Sequence, residues 1–332
     1  MPVAVPRFHP VLSITLLSLL FSVFCALLVS KYGSRLALID NPTVRSSHSL
    51  PTPRGGGIGL WITLIIVGIF VTRDFYFSAI LSIAGLLGLL EDCFTLSSRF
   101  RLLSQFVISS FVALLFLGPP ASPSTLSLFL FWLIFMTATT NFYNFMDGIN
   151  GIAGLTGLVG FGLIAYFSYF ILNVHDIFLI STVLAAGCLG FLPFNFPRAR
   201  VFMGDVGSIF LGFVFASFVV RLSASINVFL CLIMFLCTFY ADTVITIYYR
   251  WRRGENLMEA HRSHLYQYMS NELGYSHWKV SLLYAVIQLG MGILALWAYQ
   301  INIMAQVVLI MVYGLLFFAS YQFIKKVRPK HA

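Results

Sequence analysis

The stretch Phe194-Asn195-Phe196-Pro197-Arg198-Ala199-Arg200-Val201-Phe202-Met203-Gly204-Asp205-Val206-Gly207-Ser208 decides how the chain is read. It is a charged loop, marked by glycine and proline, between two apolar runs, Leu179 to Leu192 and Ile209 to Val220. A carboxylate at such a boundary is costly unless something binds it. Gly204 and Gly207 flank Asp205 and let backbone approach a ligand closely. Asp205, Gly207 and Ser208 read as the first turn of the next helix, where free N–H groups can hold an anion. Carboxylate, glycine-rich turn and helix start together predict a metal and a phosphate at a membrane face.

Composition sets the frame. Hydrophobic residues make up 59% of the 332 residues and charged residues 9%, against roughly 25% charged in soluble domains. The chain is therefore expected to be an all-α polytopic membrane protein, a single integral-membrane domain over 1–332. A crossing helix needs ~20 apolar residues. Eleven segments qualify: 11–30, 56–72, 76–91, 102–118, 124–140, 151–172, 176–193, 206–222, 226–249, 279–299 and 302–324. The first is long for a signal-peptide core and is read as a helix. Cys25, Cys93, Cys188, Cys231 and Cys237 form no CxxC pair and read as packing residues, with neither a disulfide framework nor a zinc site.

Charge alternates along the connections. Seventeen of the 20 Lys and Arg residues fall on one side, leaving Arg7, Arg73 and Arg221 on the other. The positive-inside rule then predicts an external N-terminus and a cytoplasmic C-terminus. The net charge of +9 is a topology signal and calls for no nucleic-acid partner; the partner it implies is the lipid bilayer.

Five segments on the expected cytoplasmic side carry the unusual polar residues. Asp40 to Gly57 contains three prolines, Gly55-Gly56-Gly57, and Arg45, His48 and Arg54, basic groups suited to phosphate; its glycines are expected to bring backbone against a ligand. Glu91-Asp92 ends an apolar run, where a helix C-terminus prefers cations. The two point about 100° apart on a helix, so one is expected to face the site. Asn141, Asn144, Asp147 and Asn150 recur every third residue and on a helical turn would share a face, suiting a sugar, a base edge or a hydrated metal. His261-Arg262-Ser263-His264 could grip a diphosphate. It is weak as a zinc site, lacking an intervening Glu and a third ligand.

Taken together, these segments resemble the polyprenyl-phosphate N-acetylhexosamine-1-phosphate transferases, glycosyltransferase family 4. The resemblance rests on Pro51-Thr52-Pro53-Arg54-Gly55-Gly56-Gly57, Glu91-Asp92, Asn144-x-x-Asp147-Gly148, and Asn195 through Phe202-Met203-Gly204-Asp205-x-Gly207-Ser208, with His261–His264 matching more loosely. It implies transfer of a sugar 1-phosphate from a UDP-N-acetylhexosamine to undecaprenyl phosphate, with release of UMP, in the bacterial inner membrane. Mg²⁺, with Mn²⁺ as an alternative, is the implied cofactor, and a homodimer is compatible with it. By position Asp205 would bind the metal. Glu91, Asp92 and Asp147 are the catalytic candidates. Asn144, Asn150, Asn195, Phe202 and Gly204 would line the nucleotide-sugar pocket, and His48, Arg54, His261, Arg262 and His264 would serve the phosphates.

Three departures from the family pattern matter. Glu91 stands where an Asp is usual, which favours Asp92 as the working carboxylate. Asn150 replaces a usual Asp and cannot be a general base. The usual three-histidine cluster is reduced to His261 and His264, a form resembling the O-antigen-initiating branch. The competing reading is a transporter of a nucleotide sugar or lipid-linked sugar. It needs polar groups through the membrane, and the outer half offers only Arg73, Asp74, Asp176 and Arg221.

Overall fold

The computed structural model describes residues 8–36, 38–43, 46–94, 96–257, 259 and 261–327. Arg7, Arg45, Arg328 and Lys330, which enter the readings above, lie outside the described residues. The helices are α1 (Phe8–Tyr32), α2 (Ile58–Phe70), α3 (Phe75–Cys93), α4 (Ser98–Leu117), α5 (Pro123–Phe145), α6 (Ile152–Phe167) and α7 (His175–Asn195). They continue with α8 (Asp205–Leu222), α9 (Ile226–Met234), α10 (Cys237–Arg252), the single turn α11 (Leu265–Gln267), α12 (His277–Ile301) and α13 (Ile303–Lys326). Two short antiparallel strands, β1 (Ile39–Asp40) and β2 (Thr52–Pro53), pair Ile39 with Pro53 and Asp40 with Thr52.

Each of the eleven expected segments recurs as helix, but the count of spans differs. Among the described residues nine helices are long and apolar enough to cross a membrane, and α9–α10 makes a tenth if its two halves are one span. That segment turns through 84°. The ladder tightens just before the break, where Phe235 and Leu236 donate to the carbonyls of Leu232 and Ile233. Neither Gly nor Pro marks the site, so apolar content alone reads as one helix. α2 has 13 residues, about 20 Å of helix, short of a hydrocarbon core of ~30 Å.

α8 is the axis of the bundle. It is almost wholly buried and packs against α3 and α5, while α7 packs against α1 and α6. Apolar content does not drive helices together in lipid, whereas small residues allow close approach. Gly212 of α8 is so near α5 that an added Cβ would stand 2.7 Å from the Tyr143 Cβ. α8 therefore holds its N-terminus, with Asp205, at a fixed place among the other segments.

Candidate active site

The segments meet at the start of α8. Asp92, at the end of α3 and only 1% exposed, accepts from the N–H of Asp205 at 3.1 Å and of Val206 at 3.0 Å. The N–H groups of Gly207 and Ser208 go to the Gly204 carbonyl, both at 3.0 Å. The anion expected on this helix start is therefore the Asp92 carboxylate of the chain itself, which satisfies the free N–H groups and suits the helix dipole. Arg54 stands beside it, donating to the Asp92 carbonyl at 2.7 Å and facing its carboxylate at 3.6 Å.

The glycines close this junction. Gly56 and Gly57 donate to the carbonyls of Phe202 and Met203 at 2.9 Å, and Phe202 donates back to Pro53 at 2.8 Å. A Cβ on Gly57 would lie 2.2 Å from the Gly207 Cα. The triple glycine thus brings backbone against backbone, where a ligand was expected. Gly204 adopts φ 75°, and a Cβ there would reach 2.5 Å from an Asp92 oxygen, so it is required by conformation and by space.

Beside this junction lies a cavity of about 250 Å³ lined by Asp40, Asp92, Asp147 and Asp205, with Arg54 and His48. Asn144 and Phe202 line it as well. α5 runs on to Phe145, so Asn144 sits on its last turn and donates to Asp205 Oδ1 at 2.7 Å and to the Ser208 hydroxyl at 2.9 Å. Burial, then the charges of Asp205, Asp92 and Asp40, push the Asp147 carboxyl well above the usual carboxylate range. The His48 ring meets Phe202 edge-on at 4.8 Å between centroids and lies 3.8 Å from Asp40.

The other candidates divide. Asn195 is buried and spends its amide on backbone, accepting from Gly151 N–H at 2.6 Å and donating to the Val201 carbonyl at 2.8 Å. Its observed contacts tie two loops together at the cavity edge. Asn150 lines the cavity; its N–H donates to His277 Nδ1 at 3.4 Å and its carbonyl accepts from Ser281 at 2.8 Å. Glu91 turns away from the cavity to Arg101, at 3.0 Å. His261 and His264 stack at 4.9 Å and line a second cavity of about 570 Å³, with Arg101 and Asn144. Its remaining wall includes Leu102, Phe106, Ile134 and Phe142. Arg262 leaves this pair. It faces a separate open basin with Arg198 and lies 3.6 Å from Glu272. Alternating directions of successive side chains explain why His-Arg-Ser-His does not close on one ligand as a unit. Burial, then His264 and Arg250, push the His261 ring down to about 3, so it is neutral at pH 7.

Among the described residues, no group of three or more His, Cys, Asp or Glu is placed to hold a metal. The donor set still fits a hard cation such as Mg²⁺, which takes one or two carboxylates and completes its shell with water and substrate phosphate. Mutual repulsion of Asp147, Asp205, Asp92 and Asp40 is the feature a cation would relieve. Sequence reasoning passed over Asp40, Gln267 and His277 on the cavity wall, and Asp242. Asp242 lies inside an apolar run, and an ionisable residue there is itself a signal.

The glycosyl transferase family 4 profile matches residues 75–223, a range that holds Asp92, Asn144, Asp147, Asn195 and Asp205. The decaprenyl-phosphate N-acetylglucosaminephosphotransferase of Mycobacterium leprae (strain TN) is 28% identical over 319 residues, 82% of this chain and 79% of the relative. The undecaprenyl-phosphate alpha-N-acetylglucosaminyl 1-phosphate transferase of Thermotoga maritima is 28% identical over 193 residues, 58% of this chain and 60% of the relative. The phospho-N-acetylmuramoyl-pentapeptide-transferase of Enterococcus hirae is 25% identical over 277 residues, 74% of this chain and 84% of the relative. The apolar helices and bacterial relatives make this a multi-pass protein of the bacterial inner membrane. Loop order and these matches agree in what the chain is similar to: the glycosyl transferase family 4 profile over residues 75–223, and polyprenyl-phosphate sugar-phosphate transferases over most of its length.

Proposed function

We propose that the chain transfers an N-acetylhexosamine 1-phosphate from its UDP-sugar to undecaprenyl phosphate, releasing UMP and starting a lipid-linked O-antigen or related surface polysaccharide. N-acetylglucosamine is the sugar that the relatives' names favour. The observation that carries the reading is the cavity at the start of α8, where Asp40, Asp92, Asp147 and Asp205 face one space beside Arg54 and His48. Such crowding of carboxylates is unfavourable without a cation.

In the transfer, an oxygen of the acceptor phosphate forms a bond to the sugar-linked phosphorus, and the bond from that phosphorus to UMP breaks. The electron pair leaves with UMP. Both reactants are anions, so charge neutralisation is the main task. Mg²⁺ held by Asp205 and Asp147 would supply it, and Asn144 fixes the Asp205 carboxylate for that role. Asp92, with both oxygens on the α8 start, sets where Asp205 sits. Phe202 with His48 offers a flat face for the uracil. The second cavity shares Asn144 with the first and has an apolar wall of Leu102, Phe106 and Ile134, a place for the prenyl chain. In this reading the cavity end faces the cytoplasm and the N-terminus lies outside.

The test is UMP release by purified protein given undecaprenyl phosphate, Mg²⁺ and a panel of UDP-N-acetylhexosamines. Lipid-dependent release with one donor supports the reaction and names the sugar. Folded protein that releases no UMP with any donor contradicts it.

A further inference from the structure

Asp242 of α10 is fully buried yet touches five donors. Its Oδ1 accepts from the Leu265 N–H at 2.9 Å and the Thr246 hydroxyl at 3.1 Å, and lies 3.3 Å from His264 Nδ1. Its Oδ2 accepts from the Tyr284 hydroxyl at 2.7 Å and the Tyr266 N–H at 3.2 Å. A carboxylate offers only acceptors. His264 Nδ1 must therefore carry the proton in this contact, which fixes the tautomer and the ring orientation. The opposite nitrogen, His264 Nε2, is buried without a hydrogen-bond partner, and its residue, 1% exposed, lines the second cavity beside Arg101, Asn144 and His261. An unpartnered buried polar atom on a cavity wall points to a ligand atom there.

We infer that Asp242 is a positioning residue for the transfer: it holds His264 with Nδ1 protonated so that Nε2 meets a phosphoryl oxygen in the second cavity, which shares Asn144 with the first. This rests on the phosphotransfer reading above. With Nδ1–H committed to Asp242, Nε2 is the ring nitrogen left to face the phosphate, as an acceptor from a protonated phosphoryl oxygen. Replacing the carboxylate by an amide offers Nδ1 a donor as well as an acceptor and releases the ring from one tautomer. The two backbone bonds to Leu265 and Tyr266 add a second effect, since Asp242 also fixes where the segment after His264 begins its turn.

The experiment is a double-mutant cycle on turnover, with UDP-sugar, undecaprenyl phosphate and Mg²⁺, comparing wild type, Asp242→Asn, His264→Gln and the double variant. Melting temperature is recorded for each. Partners that orient a working imidazole typically contribute about 10–100-fold, so each single variant is expected to fall by about that factor in kcat. The double variant should fall no further than the weaker single. Tyr284→Phe removes one Asp242 partner and leaves the histidine contact, and it should keep turnover within about threefold while sharing any loss of stability. Losses that multiply in the double variant, or a Tyr284→Phe loss equal to that of Asp242→Asn, show a merely structural Asp242 and overturn the inference. Should Asp242→Asn fail to fold, the Tyr284→Phe and His264→Gln pair decides by the same comparison. Wild-type protein without turnover overturns the underlying reaction instead, and the inference with it.

Discussion

The two polar ends of the bundle use the same residue types in opposite ways. At the end away from the cavity, Arg221 pairs with Asp74 at 2.6 Å and with Asp176, and its guanidinium lies 4.9 Å from the Phe77 ring centroid and 5.4 Å from that of Phe116. Two acids share one base there, and that base ties helices α3, α7 and α8. At the cavity end, Asp40, Asp92, Asp147 and Asp205 share Arg54 and His48. The first cluster closes a structure; the second leaves negative charge facing space. Three of the four charged residues that a transport path would need at the far end, Asp74, Asp176 and Arg221, are thus tied to each other, which favours a site open on one face only.

The comparison is sharpest at Asp205. Asp205→Asn should keep the bond with Asn144 and the α8 start while removing the charge. Turnover is expected to fall by about 10³-fold, the scale of losing a main electrostatic group, and the melting temperature should hold or rise as repulsion is relieved. UMP release and thermal unfolding in detergent measure the two. A lower melting temperature with turnover preserved would make Asp205 one more closing residue, like Arg221.

Gly57→Ala attacks the junction between these functions. Its Cβ would meet backbone, the Gly207 Cα at 2.2 Å, which cannot rotate away. A loss of about 1–3 kcal/mol is expected for such overpacking, with turnover falling alongside as α8 and Asp205 shift. Thermal unfolding together with UMP release checks it, and an unchanged melting temperature would show that the loop stands further from α8.

Arg221→Ala probes the other end. It leaves Asp74 and Asp176 without their shared cation. The cluster is partly exposed, with side chains at 18% and 29%, so the loss should lie below the ~3–5 kcal/mol of a broken buried pair. Turnover should stay within about twofold at temperatures where the variant is folded.

The smallest effect concerns acid. His261 is held down to about 3, below its unfolded value near 6.5. Between those values the unfolded chain binds a proton that the folded chain refuses, so stability contributed by the neutral ring is present above pH 6.5 and is lost as pH falls towards 3. His261→Gln should flatten that part of the stability profile and leave pH 7–8 unchanged. Melting temperature against pH is the check; an unaltered acid limb would mean that the ring titrates freely.

Much of this was legible in the chain. Apolar runs located the long helices, because length and composition are what a bilayer demands, but they merged α9 with α10 and passed over the single turn α11. The gathering of Asn144, Asp147, Asp205 and Asp92 was legible from their places at helix ends. What escaped were facts of packing. The triple glycine at 55–57 reads equally as a ligand loop or a backbone contact, and only the nearness of Gly207 decides. The Asp92 carboxylate takes the helix start that the local sequence offers to any anion. The α9–α10 bend carries no breaker residue. Asp242 hides in an apolar run because its five partners come from α10, α12 and the 264–266 segment, four of them far away in sequence or on backbone.

The central claim is that charge at the cavity end serves chemistry and charge at the far end serves structure. The most direct measurement is lipid-dependent UMP release by Asp147→Asn and Arg221→Ala side by side, each with its melting temperature. The account predicts an Asp147→Asn protein that is folded and silent, and an Arg221→Ala protein that is less stable and active. Turnover surviving in Asp147→Asn, or lost in folded Arg221→Ala, would contradict it.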